Sequence, residues 1–187
     1  MEGIGRLDKA LVRRGLALSR ERAKALIKES AVTVDGTPVI DPSFSVAATS
    51  VIALVHPDIP WVSRSALKLL HALDRFGIDP AGKVALDIGA STGGFTEVLL
   101  ARGADHVYAL DVGHDQLAEK LVRDERVTNM EGTHIAHVEP RSFDRTIDIV
   151  TIDVSFVSLT KVLPKAVSLL RDDGVIIALV KPQFEVG

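Results

Sequence analysis

The sequence predicts an α/β fold, in which a doubly wound parallel sheet follows a small α+β domain. From residue 84 onward, short apolar runs alternate with segments of helical periodicity, which is typical of βαβ units. Before residue 56, two short helical segments are followed by a hairpin signal. Residues 57–61 contain two prolines and are typical of a linker. We therefore expect two domains, at residues 1–56 and 62–187.

The composition excludes several kinds of site. The 187 residues include no cysteine, which excludes disulfides, thiolate zinc sites and a cysteine nucleophile. The histidines have no metal-ligand spacing, so we expect no metal. The longest apolar run, Val175–Val180, is far below the about 18 residues that span a bilayer, and the N-terminus is charged. We expect a cytoplasmic protein without a membrane segment; the composition indicates no oligomeric state.

The charge is unevenly distributed along the chain. The formal net charge is −3, yet the first 28 residues contain eight basic and three acidic side chains. A basic head on an acidic body favours a polyanion-binding module joined to a second domain. A solvated helical face is the alternative interpretation.

Local signals define the elements of the N-terminal part. Apolar residues at helical spacing predict helices over residues 7–14 and 19–29, and Ser19 fits the N-cap of the second. The pair Asp35-Gly36 between β-rich flanks predicts a hairpin, and residues 51–55 predict a further strand.

The C-terminal part begins with a predicted helix over residues 63–76, with Ser63 as N-cap and Gly77 as the stop. Strands and helices are then expected in alternation, with right-handed connections that place the strands in one parallel sheet. The predicted strands span residues 84–88, 106–111, 126–130, 147–153 and 175–181. The predicted helices between them span residues 94–102, 116–123 and 158–170.

A glycine-rich turn follows the first strand of this sheet. Gly89, Gly93 and Gly94 allow close approach of a ligand at the carboxyl end of a strand, where open α/β sheets bind ligands. The spacing is not the G-x-G-x-x-G of dinucleotide sites, and Asp87 would repel a pyrophosphate but suits a cation. Asp111 ends the next strand and could accept hydrogen bonds from ribose hydroxyls. These features predict an S-adenosylmethionine site, with a purely structural βα turn as the alternative.

The loop after the third strand, residues 131–134, lies where an adenine-contacting loop is expected. The candidate cofactor-binding residues are Asp87, Gly89, Ser91, Gly93, Gly94, Phe95, Asp111 and Glu131.

Charged residues end two of the buried strands. Asp153 and Lys181 are expected at the same rim as the glycine-rich turn. On the helix over residues 63–76, Arg64, Lys68 and Arg75 form a stripe apart from the apolar face. A buried lysine with a nearby cation and a carboxylate could deprotonate a sugar hydroxyl. A solvated basic face is the alternative interpretation of the stripe.

The N-terminal part also matches a known family. The matching segments are Arg6–Val12, Gly15, Ser19–Lys24 and Val32–Gly36. They resemble an S4 domain over about residues 5–50, which implies binding to structured RNA, typically ribosomal. The candidate RNA-binding residues are Arg6, Arg13, Arg14, Ser19, Arg20, Lys24 and, in the second part, Arg64.

The second part matches a family as well. The matching segments are Val62–Arg64 with Lys68-Leu69, Leu86–Thr96, Asp111–Gly113 with Gln116-Leu117, Asp153–Leu159 and Leu179–Gly187. They resemble the TlyA (haemolysin A) group of FtsJ-like ribose 2′-O-methyltransferases. The resemblance implies a Rossmann-like domain and S-adenosylmethionine-dependent (cytidine-2′-O)-methylation of ribosomal RNA, with rRNA or ribosomal subunits as partners. It also implies that Lys68, Asp153 and Lys181 are the first three members of the family's Lys-Asp-Lys-Glu catalytic set.

The chain departs from the family pattern at three places. Ser65-Ala66 replaces a common Gly-Gly pair, and His134 replaces a common asparagine. The family's catalytic glutamate comes from a later strand, so the resemblance implies a domain truncated after its fifth strand. An RNA-binding protein or fragment without catalysis is the alternative function, and a membrane-damaging haemolysin has much less support.

Overall fold

The computed structural model describes residues 5–55 and 60–186. The chain divides into two compact units, residues 1–60 and 61–187. Most of the predicted linker, residues 57–59, lies outside the described residues. None of the described helices is both long and apolar enough to cross a membrane.

The N-terminal unit is a small α+β structure around one apolar core. Ser19 caps the second helix as predicted, because its Oγ accepts a hydrogen bond from the Arg22 backbone N–H at 3.1 Å. The hairpin turn falls at Asp35-Gly36, where both residues have positive φ, +50° and +80°. The core contains Leu7, Leu11 and Ile27, all fully buried. Its elements are β1 (Gly5–Arg6), α1 (Leu7–Arg13), α2 (Arg20–Lys28), β2 (Val32–Val34), β3 (Thr37–Pro38), β4 (Ser45–Val46) and β5 (Ile52–Leu54).

The second unit alternates strands and helices. Its strands are β6 (Val84–Ile88), β7 (His106–Leu110), β8 (Val127–Met130), β9 (Ile147–Ile152) and β10 (Leu170–Ala178). Its helices are α3 (Ala66–Phe76), α4 (Gly94–Ala101), α5 (Glu119–Val122), α6 (Leu159–Leu169) and α7 (Pro182–Glu185), with short 3₁₀ turns at Ile135–His137 and Pro140–Ser142.

The five strands form one parallel sheet in the order β10-β9-β6-β7-β8. Helices α3, α4 and α5 pack on one face, and α6 packs on the other. The predicted doubly wound α/β fold is therefore confirmed. The direction of strand order reverses between β6 and β9, and this is the point at which such sheets open a crevice at their carboxyl ends.

Three elements differ in extent from the prediction. Helix α3 begins at Ala66, and Ser63 is not its N-cap: residues 63–65 form a turn in which the Ser63 hydroxyl accepts from the Ser65 backbone N–H. Helix α5 begins only at Glu119. Strand β10 begins at Leu170 and has a register break before Val175, where its pairing with β9 resumes.

Candidate functional site

In the second unit, a cavity of about 800 Å³ opens at the carboxyl ends of β6, β7 and β9. A smaller one, of about 190 Å³, adjoins the glycine-rich turn. Gly89, Ser91, Asp153 and Ser155 line both cavities. The sequence-predicted turn, the end of β7 and the end of β9 therefore border one continuous region.

The glycine-rich turn is shaped by close contacts. Gly89 has φ +84°, and a Cβ atom there would lie 2.8 Å from the backbone oxygen of Asp153. Gly93 has φ +94°, and a Cβ atom there would collide with the side chains of Leu117 and Leu121. Larger residues would therefore strain the backbone and push apart the segments around the cavity.

Asp111 is held rigidly at the cavity edge. One of its carboxylate oxygens accepts a hydrogen bond from the Ser91 backbone N–H at 2.8 Å, and the other accepts from the Gly113 N–H at 2.7 Å. The Ser91 hydroxyl in turn donates to the side-chain oxygen of Gln116 at 3.2 Å. Asp111, Ser91 and Gln116 all line the large cavity, so a carboxylate with spare acceptor capacity faces any ligand there.

Asp87 has a different position from the one expected of a ligand-binding carboxylate. It is fully buried beneath the turn and does not line either cavity. Its two oxygens accept hydrogen bonds from the hydroxyls of Thr96, at 2.7 Å, and Thr151, at 2.9 Å. Burial raises the pKa of the Asp87 carboxyl to about 6, although these hydrogen bonds oppose the shift. Asp87 therefore supports the turn from inside the protein, and its contact with a cofactor stays a prediction.

Glu131 likewise supports the site from outside the cavity. One of its oxygens accepts hydrogen bonds from the backbone N–H groups of Gln116, at 2.7 Å, and Leu117, at 2.9 Å, and the other accepts from the Asn129 side chain at 2.8 Å. The Asn129 hydrogen bond is the largest of the causes that lower the pKa of Glu131. These hydrogen bonds hold the backbone of residues 116 and 117 in a loop, which is consistent with α5 beginning later in the chain than predicted. Glu131 thus holds the Gln116 loop in place, and its contact with a ligand stays a prediction.

The two other predicted residues of the turn lie under or beside the smaller cavity. Phe95 is buried in the apolar core and reaches that cavity with part of its ring. Gly94 lies so close to the Ser65 hydroxyl that a side chain there would collide with it.

Sequence reasoning missed one wall of the large cavity. It is formed by residues 135 and 136, residues 154–157 and the inward side of α6. His134, in the loop expected to contact adenine, also lines the cavity. On α6 these lining residues are Lys161, Val162 and Lys165. Lys161 and Lys165 are one helical turn apart and share a face of α6, but the sequence alone does not show that this face borders a cavity.

Three predicted residues from separate segments meet at the rim of the cavities. The Lys181 Nζ lies 2.6 Å from Asp153 Oδ1, and the Lys68 Nζ lies 3.8 Å from Asp153 Oδ2. Lys181 also donates a hydrogen bond to the Ser155 hydroxyl at 2.8 Å. Asp153 Oδ1 is buried and receives no well-directed hydrogen bond, so its contact with Lys181 is an ion pair.

The three groups differ in exposure. The Asp153 and Lys181 side chains are 13% and 18% exposed, whereas Lys68 is 51% exposed. The arrangement places one shielded amine and one solvent-facing amine around a single shielded carboxylate. Such a set can hold a polar substrate group and exchange a proton with it.

In the N-terminal unit, several predicted RNA-binding cations have internal partners. Arg6 and Arg20 pair with the fully buried Asp8 at 3.1 and 2.9 Å. Burial alone would raise the pKa of Asp8, but hydrogen bonds from the two arginines lower it to about 2. Arg14 donates to the backbone oxygens of Ala48 and Ser50, at 2.9 and 2.6 Å, and so fixes the loop before β5.

The remaining candidates are more available. Within residues 5–55, Arg13 and Lys24 take part in no ion pair or side-chain hydrogen bond, and Arg6 and Arg20 remain about half exposed. In the second unit, Arg64 is exposed just before α3. Ser19 is engaged as the α2 cap.

Comparison with known proteins gives the same division of the chain. Residues 61–187 match the FtsJ-like methyltransferase family, and residues 5–52 match the S4 domain. The 16S/23S rRNA (cytidine-2′-O)-methyltransferase TlyA of Mycobacterium tuberculosis is 49% identical over 97% of this chain and 68% of its own length. The putative rRNA methyltransferase YqxC of Bacillus subtilis is 43% identical over 97% of this chain and 65% of its own length.

A solved structure agrees with these relatives. A putative hemolysin from Streptococcus thermophilus superposes with a TM-score of 0.72 and 39% identity, and the match covers all of this chain and 69% of that one. The chain thus spans about two thirds of the length of the proteins it resembles. On the strength of both domain matches and this identity, the chain belongs to the TlyA (haemolysin A) family, which joins an S4 domain to an FtsJ-like methyltransferase domain.

Proposed function

We propose that this protein methylates the 2′-hydroxyl of a cytidine ribose in ribosomal RNA, with S-adenosylmethionine as the methyl donor. The observation that carries the proposal is the meeting of Lys68, Asp153 and Lys181 beside a cavity that Asp111 also lines. The family membership and the names of the rRNA methyltransferase relatives support the substrate.

The residues around the cavities fit S-adenosylmethionine. Asp111 has acceptor capacity left for the ribose hydroxyls of an adenosine. Gly89 borders both cavities, so a ligand there can approach the backbone of the turn. The Asp153 carboxylate borders both cavities between the amines of Lys181 and Lys68. When bound, the cofactor supplies an electrophilic methyl group on its sulfonium.

The protein's own groups prepare the nucleophile. We assign Lys181 as the base, because its amine is the more shielded of the two and is held by Asp153 and Ser155. A proton of the target 2′-hydroxyl would pass to the Lys181 amine, which must be neutral to accept it. Asp153 orients this amine and stabilises the ammonium that forms. Lys68, on the other side of the carboxylate, would donate a hydrogen bond to the same ribose oxygen as negative charge develops on it.

The S4 unit supplies the docking surface for the RNA in this proposal. Arg13 and Lys24, with the half-exposed Arg6 and Arg20, present positive charge that can neutralise phosphates without reading sequence. The partner is rRNA, free or within a ribosomal subunit. A ribose held in a duplex would have to be turned out to reach the rim of the cavity.

The test is mass spectrometry of ribose methylation. Unmethylated 16S and 23S rRNA, and the two ribosomal subunits, are incubated with S-adenosylmethionine and this chain or a C-terminally extended one. We expect a new 2′-O-methylcytidine with the wild type and none with Lys181→Ala, while calorimetry shows that Lys181→Ala still binds the cofactor.

Lys83→Ala is the matched control, because Lys83 is exposed at the opposite end of β6. Methylation by Lys181→Ala at the wild-type single-turnover rate would refute the assignment of the base. Cofactor or RNA binding without methylation by either chain would support the non-catalytic alternative.

A further inference from the structure

Helix α3 carries a stripe of side chains with basic nitrogen atoms, and only one of them has a role in the proposed reaction. Lys68, His71 and Arg75 are spaced at i, i+3 and i+7, which places them on one face of the helix. Arg64 precedes the helix by two residues. The opposite face of α3 packs into the core through Ala66, Leu69 and Leu73. His71 and Arg75 are exposed, so the stripe faces solvent.

Apart from Lys68, these side chains are not paired with other described parts of the protein. In the parts of the chain that the structure describes, Arg64, His71 and Arg75 take part in no ion pair or side-chain hydrogen bond. The acidic residue of α3, Asp74, is paired instead with Arg102 at 2.8 Å. The stripe is therefore a local excess of basic side chains, and the one carboxylate of α3 is paired elsewhere.

This excess stands out against the charge of the unit around it. Residues 61–187 contain 14 basic and 18 acidic side chains, a formal net charge of −4. An RNA backbone would be repelled by most of that surface. Charge complementarity therefore favours the α3 stripe as the place where a polyanion can approach.

The stripe is also tied to the reaction centre. Lys68 reaches Asp153, so the stripe begins at the rim where the target ribose would lie. A ribose within an RNA chain has a phosphate on each side, and these phosphates must lie close to the groups that flank Lys68. Arg75 lies seven residues further along the helix, about 10 Å at a rise of 1.5 Å per residue. That is within reach of the next phosphates along the strand.

We propose that the RNA backbone on one side of the target nucleotide runs along α3, with His71 and Arg75 contacting its phosphates. This inference rests on the proposed function, since it takes the substrate to be RNA. The contacts would position the strand and carry no sequence information. The ligand of this surface is a phosphodiester backbone. The test must distinguish it from an acidic protein surface, which is the competing occupant.

The experiment compares Arg75→Gln and His71→Ala/Arg75→Gln with the wild type. Filter binding with 16S and 23S rRNA measures the RNA Kd at several salt concentrations, and calorimetry measures the Kd for S-adenosylmethionine. We expect the Arg75→Gln variant to bind RNA about fivefold more weakly, with the log–log salt slope reduced by about 0.7 to 0.9. Cofactor binding should be unchanged, and Arg75→Lys should restore the slope.

Arg123→Gln is the matched control, because Arg123 is also exposed, directly follows α5 and is paired with Glu119. Wild-type RNA affinity and salt slope in both α3 variants would overturn the inference, as would an equal loss in the control. Weaker capture of an acidic polypeptide, with RNA binding unchanged, would also overturn it.

The outcome is separable from that of the proposed function. Methylation that depends on Lys181, together with unchanged RNA binding by the α3 variants, would leave the function standing and remove the α3 surface. Weakened RNA binding by the α3 variants, without any methylation by the wild type, would support the α3 surface and remove the proposed function.

Discussion

Replacement of Asp87 by asparagine should stabilise the second unit at neutral pH. Asp87 is fully buried, and its carboxyl has a pKa of about 6 in the folded protein against an ordinary value of 3.8. Because the folded pKa is the higher one, folding takes up a proton at intermediate pH. The contribution of Asp87 to stability is therefore fully present at or below about pH 4 and is lost as the pH rises through about 6.

The size of the effect follows from the shift. At about 1.4 kcal/mol for each pKa unit, ionised Asp87 costs about 3 kcal/mol at pH 7. Asparagine removes this cost but must reorient one hydrogen bond with Thr96 or Thr151, a loss of about 1 kcal/mol. We expect Asp87→Asn to raise the free energy of unfolding by about 2 kcal/mol at pH 7 and to give no gain at pH 4.

The protein contains a convenient reporter for this measurement. Its one tryptophan, Trp61, is half-buried against the core of the second unit. Urea unfolding followed by tryptophan fluorescence between pH 4 and pH 8 therefore reports on that unit. Asp105→Asn is the control, because Asp105 is exposed and should change stability by less than about 0.5 kcal/mol. A destabilised Asp87→Asn variant at pH 7, or one whose pH dependence matches that of the wild type, would refute the reasoning.

Two further predictions concern the reaction centre. Ser155→Ala removes the hydroxyl that accepts a hydrogen bond from Lys181, so kcat should fall about tenfold while the KM for RNA stays unchanged. Ser155→Thr should recover most of the lost kcat. An unchanged kcat in Ser155→Ala would count against a positioning role. Asp111→Ala removes the carboxylate at the cavity edge, so calorimetry should show S-adenosylmethionine binding weakened about tenfold to a hundredfold. Filter binding should show wild-type RNA affinity for that variant, and unaltered cofactor affinity would contradict the placement of the adenosine.

Periodicity and turn residues were enough to predict the framework. Strand β6 has the predicted bounds, because its apolar run ends at a glycine that the following turn requires. The Asp35-Gly36 hairpin and the Ser19 cap depend on one or two residues each, and both were predicted. The ends of β9 and β10 could be placed at one rim since parallel strands share their direction. For that reason the meeting of Asp153 and Lys181 was predictable.

What the sequence did not indicate was which partners individual charged side chains would bind. Asp87 shares its face of β6 with Ala85, so the two-residue period of a strand already placed it toward the core. Its partners are 9 and 64 residues away, and no local pattern predicts them. Arg14 is a similar case, since the carbonyl groups that bind it belong to a loop more than 30 residues later. Partners that are distant in the sequence determine whether a charged side chain is paired within the protein or is available to bind a ligand.

The carboxylate of Asp153 joins amines that are 113 residues apart, one on α3 and one just after β10. During synthesis, the S4 unit and most of the sheet leave the ribosome before the second amine does. Contacts between such distant segments also form late in folding, because closing a long loop is entropically costly. A newly made chain would therefore gain the ability to hold RNA well before it could alter it.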